Sequence, residues 1–406
     1  MSILTYIVSD SKFVVMLMIP NPGGQLAPDH IVGREEIILK MWSILAGRCI
    51  YMNDLRRVGK TMILEKMKAS PPAGWLTIRR DLGGCHTAAE FATQTYRDAE
   101  GALSGRTRAW RRMKQLPGAL KGIEIAGVLK LPDGAPAPWK EVLTRTFADL
   151  NDEMTTANQR VVLLWDEVPF LLQNVTQHES SKVAMEILDV LRALSQEHDR
   201  VRLLLTGSVG LHHVLASLRS EGYINSPLNH MEYIAPGPLI PDEGRRLALS
   251  LLKGAKLKCQ DPQACAAAVA EACGNVPFYI HKLVSRLPAH QPVDPNLITA
   301  TLKREIMHAD NDWDLAHYRT RLPIYYGPDE NLALLVLDAL AASEISLAFE
   351  ALRRQLSGQT DTSDPDRLRG LLKRLQQDHY LERDGDGLYA FRFALIRSWW
   401  RYERIL

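Results

Sequence analysis

Short apolar runs of strand length recur through the first part of the chain, and segments with helical spacing lie between them. The strand candidates are Arg48–Met52, Trp75–Arg80, Val161–Trp165, Arg202–Thr206 and Met231–Ile234. The helix candidates are Glu36–Leu45, Thr61–Lys68, Trp139–Met154 and Lys182–Glu197. Continuous apolar strands that alternate with helices are typical of a parallel sheet covered on both faces. The pattern therefore predicts an α/β domain.

After Pro241 the periodicity becomes helical, and no further strand is predicted before residue 381. The helix candidates are Glu243–Lys253, Pro262–Cys273, Pro277–Leu287, Asn296–Ala309, Asn331–Ala341, Ser346–Leu356 and Asp366–Asp378. The segment Leu381–Phe393 contains two alternating runs joined by DGDG, which indicates a hairpin, and a last helix follows it. Three helices followed by a hairpin predict a winged helix-turn-helix domain.

These changes of pattern predict four regions. Residues 1–30 are expected to be an N-terminal extension, and residues 31–240 a sheet domain with a basic insertion at about 97–138. Residues 241–325 are expected to form a helical domain, and residues 326–406 the winged helix. A chain of 406 residues is long enough for two or three domains.

Composition narrows the class of protein without identifying a partner. Hydrophobic residues make up 46% and charged residues 24%, as in soluble globular proteins, and a net charge of +2 gives no general attraction to nucleic acid or membranes. The apolar stretch Phe13–Ile19 is too short to cross a bilayer and lacks the flanks of a signal peptide. Five cysteines without a CxxC pair favour free thiols over a zinc site. We therefore expect a cytoplasmic protein without a membrane partner.

The segment Met52–Thr61, MNDLRRVGKT, ends like a phosphate-binding loop of the type G-x-x-x-x-G-K-[ST]. A predicted strand precedes it and a predicted helix follows it. In such loops the backbone N–H groups and the helix N-terminus bind phosphates, the lysine reaches the outer phosphates, and the hydroxyl binds Mg²⁺. Gly59, Lys60 and Thr61 take these positions. The alternative is a chance GKT at the start of a helix.

Asp54 stands where this pattern has its first glycine. Aspartate tolerates the left-handed conformation better than most residues, so a tight turn is still allowed. Its carboxylate would repel a triphosphate by about 1–2 kcal/mol if the two were close and partly solvated. Arg56 and Arg57 lie on the same loop and are expected to offset that repulsion.

Two further strands end in residues suited to nucleotide hydrolysis. In VVLLWDEV, Asp166 would hold Mg²⁺ through water and Glu167 would polarise the attacking water. In VRLLLTGS, Thr206 or Ser208 would contact the γ-phosphate or that water if the strand lies between the first and the third. An acidic strand end and an ordinary turn are the alternatives.

Several stretches together resemble the archaeal-type ATPase family of STAND P-loop NTPases, which is related to the AAA+ initiator ATPases. The matching stretches are IVGREEI (Ile31–Ile37), LRRVGKT (Leu55–Thr61), LLWDEVPFLL (Leu163–Leu172), LLLTGS (Leu203–Ser208), SPL (Ser226–Leu228), GNVPFYI (Gly274–Ile280) and FRFALIRSWW (Phe391–Trp400). They occur in the order typical of the family and span most of the chain.

The resemblance implies a nucleotide-binding core, a helical lid and a C-terminal winged helix, with ATP or ADP and Mg²⁺ as ligands. It implies that Lys60, Glu167 and Ser208 act in catalysis, Ser208 as the sensor, and that Thr61 and Asp166 bind the metal. The residues expected to contact the nucleotide are Val32, Gly33, Arg34, Asp54, Arg56, Arg57, Val58, Gly59, Lys60, Thr61, Met62 and Pro277. Where relatives carry Gly-Arg after SPL, this chain has Asn229 and His230, which argues against efficient hydrolysis.

Two basic regions raise the question of nucleic acid. Between Arg106 and Lys130 there are seven Lys or Arg residues, one acidic residue and Trp110, a pattern that fits a nucleic-acid contact or a solvated insertion. The third helix of the predicted winged helix carries Arg367, Arg369, Lys373 and Arg374. That helix would enter a major groove in a DNA-binding protein, whereas in other proteins it serves as a docking surface or a lid.

The sequence therefore predicts an ATP-binding, slowly hydrolysing switch in which Mg-ATP, bound between sheet domain and lid, sets the position of the winged helix. A signalling, regulatory or defence role would follow, with a protein effector or self-association as the partner. One alternative is a protein-binding module that nucleotide merely stabilises, or that binds none. The other is a winged-helix regulator that binds DNA.

Overall fold

The computed structural model describes residues 17–103, 139–207, 211–220, 223, 225–308, 312–358 and 364–406. Two compact units make up this part of the chain. One unit comprises Arg34–Asn53 and Lys60–Pro236, and the other comprises the segments up to Gly33, Asp54–Gly59 and Gly237–Leu406. Ser208 and most of the predicted basic insertion lie outside the described residues.

The first unit is built on a parallel sheet of five strands. They are β1 (Ile50–Asn53), β2 (Trp75–Asp81), β3 (Arg160–Asp166), β4 (Val201–Gly207) and β5 (Glu232–Ile234). Their order in the sheet is β2-β3-β4-β1-β5, and every neighbouring pair is parallel. The predicted α/β class with a parallel sheet is confirmed, and all five strands fall where the apolar runs placed them.

Helices pack on both faces of this sheet because its inner strands are apolar on both sides. Along β3, Leu163 and Trp165 belong to one hydrophobic core, whereas Val162 and Leu164 belong to a second core on the opposite face. Side chains alternate between the faces of a strand, so an uninterrupted apolar run fills both cores. The helices of this unit are α1 (Glu35–Leu45), α2 (Lys60–Ala69), α3 (Ala88–Leu103), α4 (Trp139–Thr156), α5 (Val168–His178), α6 (Ser181–Glu197) and α7 (Leu211–Ser220).

Helices α3, α5 and α7 are absent from the sequence-based prediction. Helix α5 follows β3 after a single residue, Glu167, so its apolar side chains read as a continuation of the strand. Pro169 in its first turn supports the helix start, because proline at that position loses no helical hydrogen bond.

Gly207, the last residue of β4, lies against the start of α5. A Cβ atom at this position would stand 2.3 Å from Cδ of Pro169. A proline ring cannot swing away as a flexible side chain does, so we expect Gly207→Ala to lower the free energy of unfolding by about 1–3 kcal/mol. Chemical denaturation should show this loss. Gly84→Ala is the matched control, since a Cβ there meets nothing within 4 Å; equal stability of the two variants would contradict the expectation.

In its described residues, the second unit is helical apart from one hairpin. Its helices are α8 (Pro241–Gly254), α9 (Pro262–Ala272), α10 (Pro277–Arg286), α11 (Pro295–Ile306), α12 (His317–Thr320), α13 (Leu322–Tyr326), α14 (Glu330–Ala342), α15 (Phe349–Leu356), α16 (Pro365–Gln377) and α17 (Ala394–Arg404). A single hydrophobic core runs from Leu239 to Trp400 and includes Leu55 and Val58. Among the helices described in both units, none combines the length and apolarity that a membrane span requires.

The hairpin lies between α16 and α17. Its strands β6 (Leu381–Arg383) and β7 (Tyr389–Phe391) are antiparallel, and Asp384 accepts hydrogen bonds from the N–H groups of Asp386 and Leu388 in the turn. We call residues 330–404, from α14 to α17, the C-terminal segment. Its element order is the one that the sequence predicts, three helices, a hairpin and a last helix.

The buried ring of His281 in α10 gives this unit an expected sensitivity to acid. His281 is 4% exposed, its Nδ1 accepts a hydrogen bond from the Asn21 N–H at 3.1 Å, and burial lowers its pKa from 6.5 to about 4. As the pH falls, His281 therefore binds a proton in the unfolded chain at a higher pH than in the folded one. Stability should be highest above pH 6.5 and fall as the pH drops toward 4, by about 1.4 kcal/mol per unit at most. Denaturant titrations across this range should show a shallower decline for His281→Gln.

Candidate functional site

The predicted phosphate loop lies between β1 and α2, as its motif requires. Strand β1 ends at Asn53 and α2 begins at Lys60. The turn is made by Arg57 and Gly59, whose φ angles are 71° and 93°, whereas Asp54 is not in the left-handed region. The substitution of the first glycine of the motif therefore costs no backbone strain at Asp54, because the loop does not need a positive φ there.

Lys60 and Thr61 start α2 beside the acidic end of β3. Lys60 is 7% exposed, and Oγ1 of Thr61 donates a hydrogen bond of 2.7 Å to Oδ2 of Asp166. The second oxygen of Asp166 accepts from the N–H of Glu167 at 3.2 Å. The fold thus brings Lys60 and Thr61 to the strand end that carries Asp166 and Glu167, although about a hundred positions separate the two pairs in the sequence.

The surroundings of Asp166 suit a hard cation. Burial raises the pKa of this carboxyl, while the hydrogen bond from Thr61 and the positive charges of Arg79 and Lys60 lower it and only partly offset burial. A buried carboxylate next to a hydroxyl supplies the oxygen ligands that Mg²⁺ prefers. Thr61 and Asp166 are therefore the residues that fit a metal bound together with phosphates.

Glu167 follows Asp166 directly and forms the N-cap of α5. Its φ of 58° is unusual for a residue other than glycine, and its side chain is only half-buried. The chain turns sharply at Glu167 between β3 and α5, so the residue lies at the carboxyl edge of the sheet, next to the pair formed by Thr61 and Asp166. Backbone strain of this kind is common where a side chain is aimed at a substrate.

Two residues of β2 also belong to this edge, and neither was predicted from the sequence. Nη2 of Arg79 lies 3.5 Å from Asp166, and Nε of Arg79 lies 3.1 Å from Glu65 of α2. Asp81 is paired in register with Asp166 and raises its pKa. The only feature of the sequence that could have indicated these two residues is the polar end of β2, RRD. It lies beside β3, which ends in the acidic residue Asp166.

At the end of β4, Thr206 is fully buried, and its hydroxyl has no hydrogen-bond partner among the described residues. Strand β4 lies between β3 and β1, and Thr206 is in register with Met52 of β1. A contact of Thr206 with phosphate or with the attacking water was predicted only if its strand lies between the first and the third. The observed strand order meets this condition. Ser208, the other candidate, lies outside the described residues.

The first half of the loop, Asp54–Gly59, packs within the second unit. Nε of Arg57 lies 2.8 Å from Asp314, and Nη2 of Arg56 lies 3.6 Å from the same carboxylate. Arg57 also stacks over the ring of Phe278, 4.4 Å from its centre. The two arginines that were expected to offset the repulsion between Asp54 and a triphosphate thus form ion pairs with Asp314.

Arg392 of the C-terminal segment faces Asp54 instead. Its Nη1 lies 3.3 Å from Oδ1 of Asp54, and Nδ1 of His379 lies 3.8 Å from the same oxygen. The N–H groups of Leu55 and Gly237 donate to the two carboxylate oxygens at 2.7 and 2.5 Å. Asp54 is 2% exposed and fully engaged by these contacts.

The residues expected near the base are placed in both units. In the second unit, Val32 is half-buried against the core, a Cβ on Gly33 would stand 2.4 Å from Cδ of Glu243, and Pro277 is the first residue of α10. In the first unit, Arg34 precedes α1 with a φ of 75° and donates to the carbonyl of Pro236 at 2.9 Å.

The two remaining positions also lie in the first unit. Met62 is half-buried in the first turn of α2. His230, at the position where relatives carry arginine, has its Nε2 2.9 Å from Oγ of Ser195. Burial lowers the pKa of His230, so this side chain supplies no positive charge at neutral pH.

Comparison with known proteins agrees with this architecture. No protein-family model matches the chain, and no curated protein matches it in sequence. A Walker-type ATPase of Pyrococcus abyssi is similar in structure with a TM-score of 0.61 at 17% identity, over 91% of this chain and 96% of that one. The ORC2 protein of Aeropyrum pernix, solved as ADPNP–ADP complexes, has a TM-score of 0.51 at 11% identity, over 96% and 95%. The chain therefore shares its fold, an α/β domain on a parallel five-stranded sheet followed by helices, with this Walker-type ATPase and with the ORC2 protein.

Proposed function

We propose that this protein binds Mg-ATP and hydrolyses it slowly, and that the bound nucleotide acts as a switch. The observation that carries the proposal is the contact between Thr61 and Asp166 beside the buried Lys60. A loop hydroxyl paired with the acid at the end of another strand of the sheet is the arrangement that a nucleotide-bound Mg²⁺ needs. The solved ORC2 neighbour holds ADPNP and ADP, and the other neighbour is described as an ATPase, which supports the same function.

Each residue of the site has a role in this proposal. Lys60 binds the outer phosphate oxygens, and the amides of residues 58–62 surround the remaining ones at the N-terminus of α2. Thr61 and Asp166 would hold the Mg²⁺, which would supply positive charge beside the phosphates. Glu167 orients the attacking water and accepts its proton. Thr206, whose hydroxyl has no hydrogen-bond partner in the part of the chain that the structure describes, and Ser208 contact the γ-phosphate.

The remaining nucleotide contacts are proposed from the resemblance and from their positions. Val32, Gly33 and Arg34 flank the base, and Pro277 packs near it. Slow turnover is supported by His230, which is neutral and hydrogen-bonded to Ser195 where an arginine would supply a charge to the transition state. A slow hydrolase holds its nucleotide long enough to serve as a switch.

We propose further that the C-terminal segment is a winged helix that works within the chain or toward a protein partner. In α16, Arg367 lies 2.7 Å from Asp329, Arg374 pairs with the same carboxylate, and Arg369 lies 2.7 Å from Asp366. To bind DNA, these three arginines would have to exchange their ion pairs for contacts with phosphates. Lys373 differs from them, because it forms no ion pair in the described part of the chain. Paired arginines favour the internal role over DNA, and the basic insertion, outside the described residues, is left as a second DNA-binding candidate.

Purified protein tests the nucleotide proposal directly. Saturating Mg-ATP should raise the unfolding temperature, because a ligand at a hundred times its Kd adds about 2.7 kcal/mol to the stability of the folded state. Phosphate release should be slow but measurable, and chelation of Mg²⁺ by EDTA should abolish it. An unchanged unfolding temperature at millimolar Mg-ATP would refute the proposal and favour a protein-binding module without nucleotide.

A further inference from the structure

Asp54 connects the phosphate loop to the far end of the chain. The motif calls for glycine at this position, which has no side chain, whereas the carboxylate of Asp54 is 2% exposed and points into the second unit. Its partners there are Arg392, directly after β7, and His379, the second residue after α16. Asp54 and Arg392 are 338 positions apart (392 minus 54), so only the folded chain joins them.

The contacts around this ion pair form one connected group. Nη1 of Arg392 also contacts Nδ1 of His379, and the N–H of Arg392 donates to the carbonyl of Tyr380 at 2.9 Å. The guanidinium therefore joins the base of the hairpin to the carboxylate. On the other side, the N–H groups of Leu55 and Gly237 fix the two oxygens of Asp54. A buried carboxylate held by a guanidinium and two amides has one strongly preferred position.

The rest of the loop is anchored to the same unit. Leu55 and Val58 are 2% and 0% exposed and belong to the core that contains the C-terminal helices. Arg56 and Arg57 pair with Asp314. Every residue from Asp54 to Val58 is thus held by the unit that carries the hairpin, while Lys60 and Thr61, the next residues after Gly59, begin the helix of the sheet unit.

We infer that the pair Asp54–Arg392 is a regulatory latch, through which the C-terminal segment and the phosphate loop control each other. This inference rests on the proposed function for the nucleotide part. Any nucleotide that changes the conformation of residues 54–59 must strain or release the latch, and a displaced C-terminal segment must in turn loosen the loop. Coupling of this kind is reciprocal, because both events act on one conformational equilibrium. A glycine at position 54 would abolish this connection.

Hydrogen exchange of the nucleotide-free protein tests the latch independently of ATP. We expect Asp54→Asn and Arg392→Gln each to speed amide exchange in both residues 54–59 and residues 379–393, by roughly tenfold, the value for a loss of about 1.4 kcal/mol. The double variant should exchange no faster than either single variant, since both remove the same contact. Arg404→Gln, which breaks the ion pair of 2.7 Å with Asp338 in the same segment, is the control and should leave residues 54–59 unchanged.

The nucleotide arm uses Asp54→Gly, which restores the motif. Mg-ATP should alter exchange of residues 379–393 in the natural protein, and this response should be lost in Asp54→Gly when both proteins are measured at Mg-ATP concentrations that saturate them. A persisting response in Asp54→Gly, or unchanged exchange at residues 379–393 in Asp54→Asn, would overturn the latch. If Arg392→Gln does not fold, the two Asp54 variants decide the question. Failure of Mg-ATP to bind the natural protein would refute the proposed function only, because the nucleotide-free arm would still decide the latch.

Discussion

Glu167→Gln is expected to lower the rate of phosphate release by about 10²–10⁴-fold, the usual contribution of a positioned general base. Glutamine keeps the size and the hydrogen-bonding capacity of the side chain but cannot accept the proton of the attacking water. The residue forms the N-cap of α5 with its backbone in the left-handed region, and it follows the metal-binding candidate Asp166 directly. The substitution leaves the contact between Thr61 and Asp166 in place, so Mg-ATP should still bind.

Single-turnover phosphate release and an ATP-dependent thermal shift, measured together, separate these two effects. The expected result is a thermal shift equal to that of the natural protein with hydrolysis reduced to background. Glu186→Gln is the control, because Glu186 forms its ion pair with Lys140 of α4 at 2.8 Å and belongs to neither the phosphate loop nor a strand end. If Glu167→Gln hydrolyses ATP at the natural rate, another group activates the water, and Asp81 at the end of β2 becomes the first alternative.

The sequence was sufficient to predict the sheet because its information is local. Each strand of the first unit is a short apolar run, and an apolar run buried on both faces has few alternatives to a parallel sheet. The same holds for the motif residues: Lys60 follows a strand and begins a helix, and Asp166 ends a strand, so both can be placed from neighbours in sequence. Their proximity in the structure, through Thr61, follows from the strand order β3-β4-β1.

The partners of charged side chains could not be predicted in this way. Arg56 and Arg57, two and three positions away, were the charges expected to offset the repulsion between Asp54 and a triphosphate, because proximity in sequence was the only guide. In the structure the balancing guanidinium belongs to Arg392, which is brought to the loop by the packing of a whole unit. Arg79 was missed for the same reason, since its role depends on strand β2 lying beside β3. Motifs are local, whereas charge pairing depends on tertiary structure.

Lys60→Ala is expected to weaken Mg-ATP binding by roughly 10–100-fold, because a hydrogen bond to a charged group contributes about 1.5–3 kcal/mol. Lys60 is 7% exposed at the first position of α2, and its charge lowers the pKa of Asp166. Without Lys60 the site loses a phosphate ligand and one of the positive charges that stabilise the buried carboxylate of Asp166. The thermal shift at a fixed Mg-ATP concentration should therefore shrink, and hydrolysis should fall with it.

Lys66→Ala is the matched control for this variant. Lys66 lies on the same helix, six positions further on, and its ion pair with Glu35 of α1, at 2.5 Å, involves a carboxylate that is 62% exposed. Its loss should change stability by less than about 1 kcal/mol and leave the Kd for Mg-ATP unchanged. A titration with a fluorescent nucleotide measures the Kd of both variants. It distinguishes a lysine that binds phosphate from a lysine that only stabilises the helix. Equal affinities of Lys60→Ala and Lys66→Ala would show that Lys60 does not bind phosphate, and the loop would then have a purely structural role.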